Sequence, residues 1–262
     1  MRVQIGRDDH NIDHIGVAYC LLQDKKKESY ATALKALRDA APAWNPTDIT
    51  ADYELAMHNA VKDSFPAASI QGCFFHLLQV WRKKLHKIPG WYGPDSARLK
   101  EDVHIIFGLP FLPSNEIVPA WNAIKAVLLL AHPQSKDFCQ YMDSTWMDSR
   151  YPTAMWSCYE RTLCNAARTN NVSEGANSAM KRFFSSSKPT LWTWISKMSD
   201  VQLKTDTVIL QNAIGRSNAS KKKRSQVERN SMLESDVSSY VFVSEHQRRI
   251  YLTIVSRYTK NG

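Results

Sequence analysis

Residues 48–77 read DITADYELAMHNAVKDSFPAASIQGCFFHL, and this stretch decides the fold class. A short extended run over 48–51 leads into Asp52, and apolar residues then recur with helical spacing until Pro66. A second extended run covers 68–74 and is followed by another helical pattern that ends before Pro89-Gly90. Strands that alternate with helices pair in parallel through right-handed crossovers, so the sequence predicts an α/β fold.

The residues upstream extend the same sheet. Met1–Ile5 and Ile15–Leu22 are rich in extended-chain formers, and Gly6–His10 between them has the composition of a turn. Lys26–Ala40 then changes to helical spacing. We therefore predict that residues 1–90 form an α/β core that begins with a hairpin.

The rest of the chain has a different pattern. Residues 91–168 are rich in Trp, Pro and helical spacing, which predicts a helical insertion. Residues 169–212 contain two further helical patterns, the first of them carrying Glu174. Residues 213–262 are polar and include Lys221–Arg224 in a Ser/Asn-rich setting, which favours a partly disordered tail.

Composition narrows the class of protein. Lys and Arg number 34 against 25 Asp and Glu, and the net charge of +9 favours a polyanionic partner such as DNA. Five cysteines, an odd number, argue against a secreted disulfide scaffold. We see no signal peptide, and the most apolar stretch, Ala123–Ala131, is too short to span a bilayer.

Two carboxylates are candidates for chemistry. Asp52 follows a predicted central strand at the sheet edge where α/β proteins bind ligands. Taken alone, its position favours a cap of the next helix, and it could also do both. Glu174 shares a polar helix face with Asn177, and the alternative is an ordinary solvated face.

Cys73 and His76 stand three residues apart at a strand-to-helix junction, and both are zinc-binding types. A four-ligand zinc site needs a second pair, and no such pair has finger spacing. We therefore expect a buried cysteine and an orienting histidine beside the site, and we do not expect zinc.

Basic clusters are the candidate DNA contacts. They border predicted helix ends or faces at Lys25–Lys27, at Arg82, Lys83 and Lys84, and at Lys181 and Arg182. Each one alone is compatible with ordinary solvated surface, but together with the net charge they favour nucleic-acid binding.

Several segments in order resemble the Mutator-like element (MULE) transposase family. They are Tyr19–Leu22 with Asp24–Tyr30, Ile49–Glu54, Ile70–Leu77 with its Cys-x-x-His motif, Phe107–Pro113, Tyr141–Trp146, Trp156–Arg161, and Arg168–Asn171 with Glu174-Gly175. The resemblance covers residues 15–210, and the order of the motifs makes a chance match improbable.

The resemblance implies an RNase H-like mixed sheet with an all-helical insertion, and DNA cleavage and strand transfer by two Mg²⁺ (or Mn²⁺) ions. It assigns Asp52 and Glu174 as catalytic metal ligands whose carboxyl groups we expect within about 8 Å of each other. It also implies that Arg168, Asn171 and Asn177 support the active site. The expected partners are the transposon terminal repeats and target DNA, with DNA contacts by Lys83, Lys84, Lys181 and Arg182. We expect a nuclear location and no membrane association. A homo-oligomer is compatible with it.

The sequence departs from the family in three respects. The first catalytic aspartate and its strand have no counterpart, because Asp8, Asp9 and Asp13 lie in or beside the hairpin turn. Asn177 stands where members often carry a histidine, and the amino-terminal zinc module is missing. We therefore expect an N-terminally truncated core that does not cut DNA by itself. The alternatives are a domesticated, non-catalytic DNA-binding or scaffold protein, and a degenerate fragment.

Overall fold

The computed structural model describes residues 2–5, 13–16, 18–94, 96–148, 150–166, 168, 182–184, 190–214 and 224–259. These residues are mostly helical, with four short strands. In chain order the regular elements are β1 (Arg2–Ile5), β2 (Asp13–Gly16), α1 (Lys27–Ala40), β3 (Asp48–Ala51), α2 (Leu55–Ser64), β4 (Ser69–Gly72), α3 (Phe74–Leu85), α4 (Ser96–His104), a 3-10 helix (Ile105–Phe111), α5 (Ile117–Ala131), a 3-10 turn (Pro133–Ser135), α6 (Lys136–Trp146), α7 (Thr153–Trp156), α8 (Tyr159–Leu163), α9 (Leu191–Ala213), α10 (Arg224–Ser238), α11 (Glu245–Ser256) and a final 3-10 turn (Arg257–Thr259).

The strands form two pairs. β3 and β4 are parallel, in a register that places Ala51 opposite Gly72, and α2 makes the crossover between them. β1 and β2 form an antiparallel hairpin, and within the described residues this pair is separate from the parallel pair. The expected order of strands and helices is confirmed, and the fold is a mixed α/β fold.

The second strand lies earlier than expected. The sequence predicted Ile15–Leu22, whereas β2 covers Asp13–Gly16 and residues 18–22 lie outside any strand. The reason is the partner strand. The four residues of β1 pair with Asp13–Gly16, and Tyr19–Leu22 are not among their partners. Extended-chain propensity becomes a strand only where a neighbouring strand supplies the hydrogen bonds.

Two apolar clusters surround the parallel pair. The smaller one joins α1 to α2 through Leu34, Ala60, Val61 and Phe65, and covers one side of the strands. The larger one is built on α3 and the helices after it. Its largest fully buried side chains are four tryptophans, Trp81, Trp121, Trp146 and Trp156. The described residues between 96 and 163 are helices, 3-10 segments and their connections, without a strand.

The carboxyl-terminal region differs from the predicted polar, partly disordered tail. Over its described part, 224–259, it folds into α10 and α11, which pack on the core. Leu252 is 1% exposed and contacts Gly108. Leu233, Val237 and Val255 form a third apolar cluster with Phe111 and Cys158. These helices form because a few apolar residues at helical spacing are enough to bury one helix face, even when the average composition is polar.

Helix α9 agrees with the predicted 191–210 helix and extends to Ala213, and none of its residues is buried. Of the predicted Asn171–Phe184 helix, only residues 182–184 fall within the described part, and they are helical. The helices that the structure describes include none with the length and apolar character that crossing a membrane requires.

Candidate metal centre

The carboxyl ends of β3 and β4 bring three polar side chains together. Because Ala51 and Gly72 are opposite each other, the next residues, Asp52 and Cys73, leave the sheet side by side. The Cys73 amide donates to the Ala51 carbonyl at 2.9 Å, which continues the pairing by one residue. His76 lies one turn into α3, with its Nδ1 2.8 Å from Asp52 Oδ1. One potential ligand atom from each of Asp52, Cys73 and His76 lies within 4.8 Å of the other two.

Asp52 does not cap the following helix. Helix α2 begins at Leu55 with Glu54 at the N-cap position, and no side-chain capping bond is described there. The Asp52 backbone is held instead by His58, whose Nε2 lies 2.6 Å from the Asp52 carbonyl. A carbonyl oxygen can only accept, so the ring donates this bond, and burial lowers the pKa of His58. The Asp52 carboxylate is therefore directed to His76, and its side chain is 53% exposed.

Cys73 and His76 differ in their access to solvent. Cys73 is fully buried and occupies the N-cap position of α3, whereas the His76 side chain is 26% exposed. The sequence predicted an orienting histidine beside the site, but it did not predict that Asp52 joins the pair. A usable signal was present, because Asp52 and Cys73 each directly follow one of two consecutive strands.

A buried arginine is hydrogen-bonded to the end of β4. Arg161, on α8, is 6% exposed and donates to the Gly72 carbonyl from both terminal nitrogens, at 3.3 and 3.4 Å. It also donates to the Ser157 carbonyl at 3.3 Å and lies 3.3 Å from Cys158 Sγ. Burial raises the pKa of the Cys158 thiol, and the Arg161 charge opposes this shift. Sequence reasoning assigned no role to Arg161.

Arg168 lies against the beginning of α3. Its carbonyl accepts a hydrogen bond from the Phe74 amide at 3.0 Å and another from Arg161 at 3.5 Å. Its guanidinium donates to Asn230 on α10 at 2.9 Å and to Thr162 at 3.3 Å. Burial lowers the pKa of Arg168. The backbone at position 168 is therefore fastened next to Cys73.

The other predicted site residues are not part of this cluster of side chains in the described structure. Glu174, Asn171, Asn177 and Lys181 lie outside the described residues, and Arg182 is exposed. Lys83 is exposed near the carboxyl end of α3, and the Lys84 ammonium lies 4.4 Å from the Tyr141 ring centre. Seven residues of helix place Lys83 about 10 Å along the axis from His76.

The remaining residues of the predicted basic clusters, Arg82 and Lys25–Lys27, all have polar partners. Arg82 donates to the Thr259 carbonyl at the end of the final 3-10 turn. Each lysine of the first cluster forms an ion pair: Lys25 with Glu54, Lys26 with Asp24, and Lys27 with Asp63. Lys25 and Lys26 nevertheless remain largely exposed, as Lys83 and Arg182 are.

All five cysteines, which the structure describes, are free thiols: Cys20 and Cys164 are exposed, and Cys73, Cys139 and Cys158 are buried. This agrees with the expectation that the protein is not a disulfide scaffold.

Comparison with known proteins identifies the first part of the chain. No curated protein and no solved structure matches it. Residues 2–80 match the family model of the MULE transposase domain. The match runs from β1 into α3 and includes Asp52, Cys73 and His76. The resemblance seen in the sequence is thus confirmed over these residues, which are similar to the MULE transposase domain.

Proposed function

We propose that this chain derives from the catalytic domain of a MULE-type transposase, which cleaves and transfers DNA strands, and that Asp52 and Glu174 are two of its catalytic carboxylates. One observation carries the proposal. Within the family match, the Asp52 carboxylate stands half-exposed at the carboxyl end of a parallel strand, beside the Cys-x-x-His motif. That edge is where open α/β sheets bind their ligands.

The fold that we propose is RNase H-like. Support comes from the order of the elements, an antiparallel hairpin followed by a helix and then a parallel pair with a crossover helix. A mixed sheet of this kind would join the two strand pairs and place Asp52 near its centre.

The anchoring of Arg168 supports the role of Glu174. Position 168 is hydrogen-bonded to the first residue of α3, immediately after Cys73. Glu174 follows six residues later (174 − 168), and six residues span at most about 20 Å when fully extended. The Glu174 carboxylate can therefore reach Asp52 without any rearrangement of the described residues.

The donor atoms now at this edge do not by themselves fit magnesium. Mg²⁺ prefers oxygen ligands in near-octahedral geometry, and Asp52 is joined here by a thiol and an imidazole. We propose Mg²⁺ or Mn²⁺ as the ion of the Asp52–Glu174 pair, and Glu174 is the second oxygen donor that this assignment requires.

DNA binding follows from charge. The protein carries a net charge of +9, and the exposed Lys83 and Arg182 together with Lys84 and Lys181 form the proposed contact set for terminal-repeat and target DNA. A nuclear location, where such DNA is available, is part of the proposal.

Affinity cleavage tests whether Asp52 and Glu174 share an ion. Fe²⁺ with ascorbate and peroxide releases radicals at the bound ion and cuts the nearby backbone. We expect cuts flanking both 52 and 174, and loss of the cuts near 174 in Asp52→Asn. Asp48→Asn is the matched control, because Asp48 is an exposed carboxylate of the same strand. Cuts confined to 52 and 73–76 would contradict the proposal.

Fluorescence anisotropy with terminal-repeat DNA tests the binding surface. The logarithm of affinity should fall linearly with the logarithm of salt concentration, and Lys83→Ala combined with Lys84→Ala should reduce the slope by about 1.8. Lys35→Ala, at an exposed lysine on α1, should leave the slope unchanged. DNA binding without the shared ion would favour the domesticated, non-catalytic alternative, and affinity that does not depend on salt would exclude this surface.

A further inference from the structure

The Asp52, Cys73 and His76 side chains have a chemistry that the proposed catalysis does not use. We infer that they form a three-ligand site for a borderline divalent transition ion of the zinc type, with a fourth position open to water or another ligand. This inference goes beyond the proposed function, because it requires neither Glu174 nor DNA.

The spacing of the ligand atoms is close to what zinc requires. Zinc bonds of about 2.0–2.3 Å in tetrahedral geometry place ligand atoms about 3.4–3.6 Å apart. The three atoms lie within 4.8 Å of one another, and Asp52 Oδ1 and His76 Nδ1 are 2.8 Å apart. An ion inserted between these two atoms would open the contact by about 0.6 Å. Rotations of exposed side chains can supply changes of this size.

The kind of ligand selects the metal. A thiolate and an imidazole bind zinc-type ions well and Mg²⁺ poorly. Cys73 stands at the N-cap position of the twelve-residue helix α3, three residues before His76, so both side chains leave the first turn of one helix. The carboxylate of Asp52 supplies the third ligand, which the Cys-x-x-His pair lacks.

The surroundings hold the ligands and leave an entrance. Arg161 fixes the carbonyl of Gly72, and His58 fixes that of Asp52. Thus the backbone on each side of the site is held from outside by a buried side chain. Cys73 is enclosed, whereas the Asp52 and His76 side chains are partly exposed, so an ion can enter from the solvent side.

Cobalt titration of the purified 262-residue chain, in the absence of DNA, tests the inference. A thiolate bound to Co²⁺ gives a near-ultraviolet charge-transfer band, and tetrahedral Co²⁺ gives visible bands. We expect both at one ion per chain, displaced by Zn²⁺ but not by a large excess of Mg²⁺. Cys73→Ser should abolish the charge-transfer band, and Asp52→Asn or His76→Gln should weaken binding at least about tenfold.

The controls separate ligation from folding. Cys158→Ser removes a neighbouring buried thiol, and Cys164→Ser an exposed one, and both should keep the band. If circular dichroism shows that Cys73→Ser is unfolded, Asp52→Asn and His76→Gln decide the question, because their side chains are partly exposed. Absence of a thiolate band in the wild-type chain, or an unchanged Co²⁺ affinity in these two variants, would overturn the inference. The result of the Co²⁺ titration does not depend on whether Fe²⁺ cuts the backbone near residue 174. The three-ligand site and the ion shared by Asp52 and Glu174 can therefore fail separately.

Discussion

A single methyl group at Gly72 tests the packing behind the candidate metal centre. Gly72 precedes Cys73, and Tyr53 follows Asp52, so the contact between Gly72 and Tyr53 adjoins both residues in the chain. A Cβ atom at Gly72 would meet Tyr53 Cζ and Oη at 2.3 Å and Cε1 at 2.4 Å. Carbon atoms in favourable contact are about 3.5–4.0 Å apart, so the ring would have to move by more than about 1 Å.

The Tyr53 ring has little room to make this movement. It packs edge-on against Trp146 at 4.9 Å and Tyr151 at 5.3 Å between ring centres, and Trp146 is 1% exposed. Overpacking of this kind costs about 1–3 kcal/mol, and we expect Gly72→Ala to lie at the upper end. Gly72 is not in the left-handed region, so the backbone itself accepts alanine.

Four proteins form the test: the wild type, Gly72→Ala, Tyr53→Ala and the double variant. Tyr53→Ala alone should cost about 3 kcal/mol, the lower end for a large aromatic side chain because the residue is only partly buried. With the ring removed, Gly72→Ala should cost nothing, or should stabilise by about 0.4–1 kcal/mol through the unfolded chain. Urea denaturation followed by circular dichroism gives the four unfolding free energies. Costs for Gly72→Ala that agree within about 0.5 kcal/mol in the two backgrounds would refute the reasoning.

Three further predictions concern stability. Gly108→Ala should cost about 1–3 kcal/mol and expose α11 to limited proteolysis, because its Cβ would lie 2.6 Å from the Leu252 carbonyl oxygen; normal resistance to protease would contradict it. His58 has a pKa below its ordinary 6.5, so the unfolded chain takes up a proton that the folded chain does not, and the unfolding free energy should fall as the pH drops below about 6.5. His58→Gln should make the unfolding free energy less dependent on pH below about 6.5, and an unchanged dependence would contradict the role given to His58. Tyr151→Phe removes a 3.0 Å hydrogen bond to the Tyr53 carbonyl and should lower the unfolding free energy by about 0.5–1.5 kcal/mol in the same urea assay, whereas an unaltered midpoint would show that this bond contributes nothing.

The sequence by itself determined the local elements around the site. The periodicities of residues 48–85 come from the backbone geometry of helix and strand, which acts over a few residues, so α2, β4 and α3 could be predicted from spacing. The positions of Asp52 and Cys73 followed, because each directly succeeds a strand. The family motifs also depend only on residue order, and the match over residues 2–80 confirmed them there.

The tertiary structure decided which groups meet. Arg161 reaches the Gly72 carbonyl across 89 residues of chain, and Tyr251 reaches the Phe111 carbonyl across 140. No local pattern encodes such partners, because they depend on how distant helices pack. The same reason explains the tail, where α11 is held by a core formed more than 100 residues earlier. Whether the Asp52 carboxylate caps α2 or contacts His76 was likewise decided in three dimensions, since the 2.8 Å approach of His76 depends on the pairing of β3 with β4.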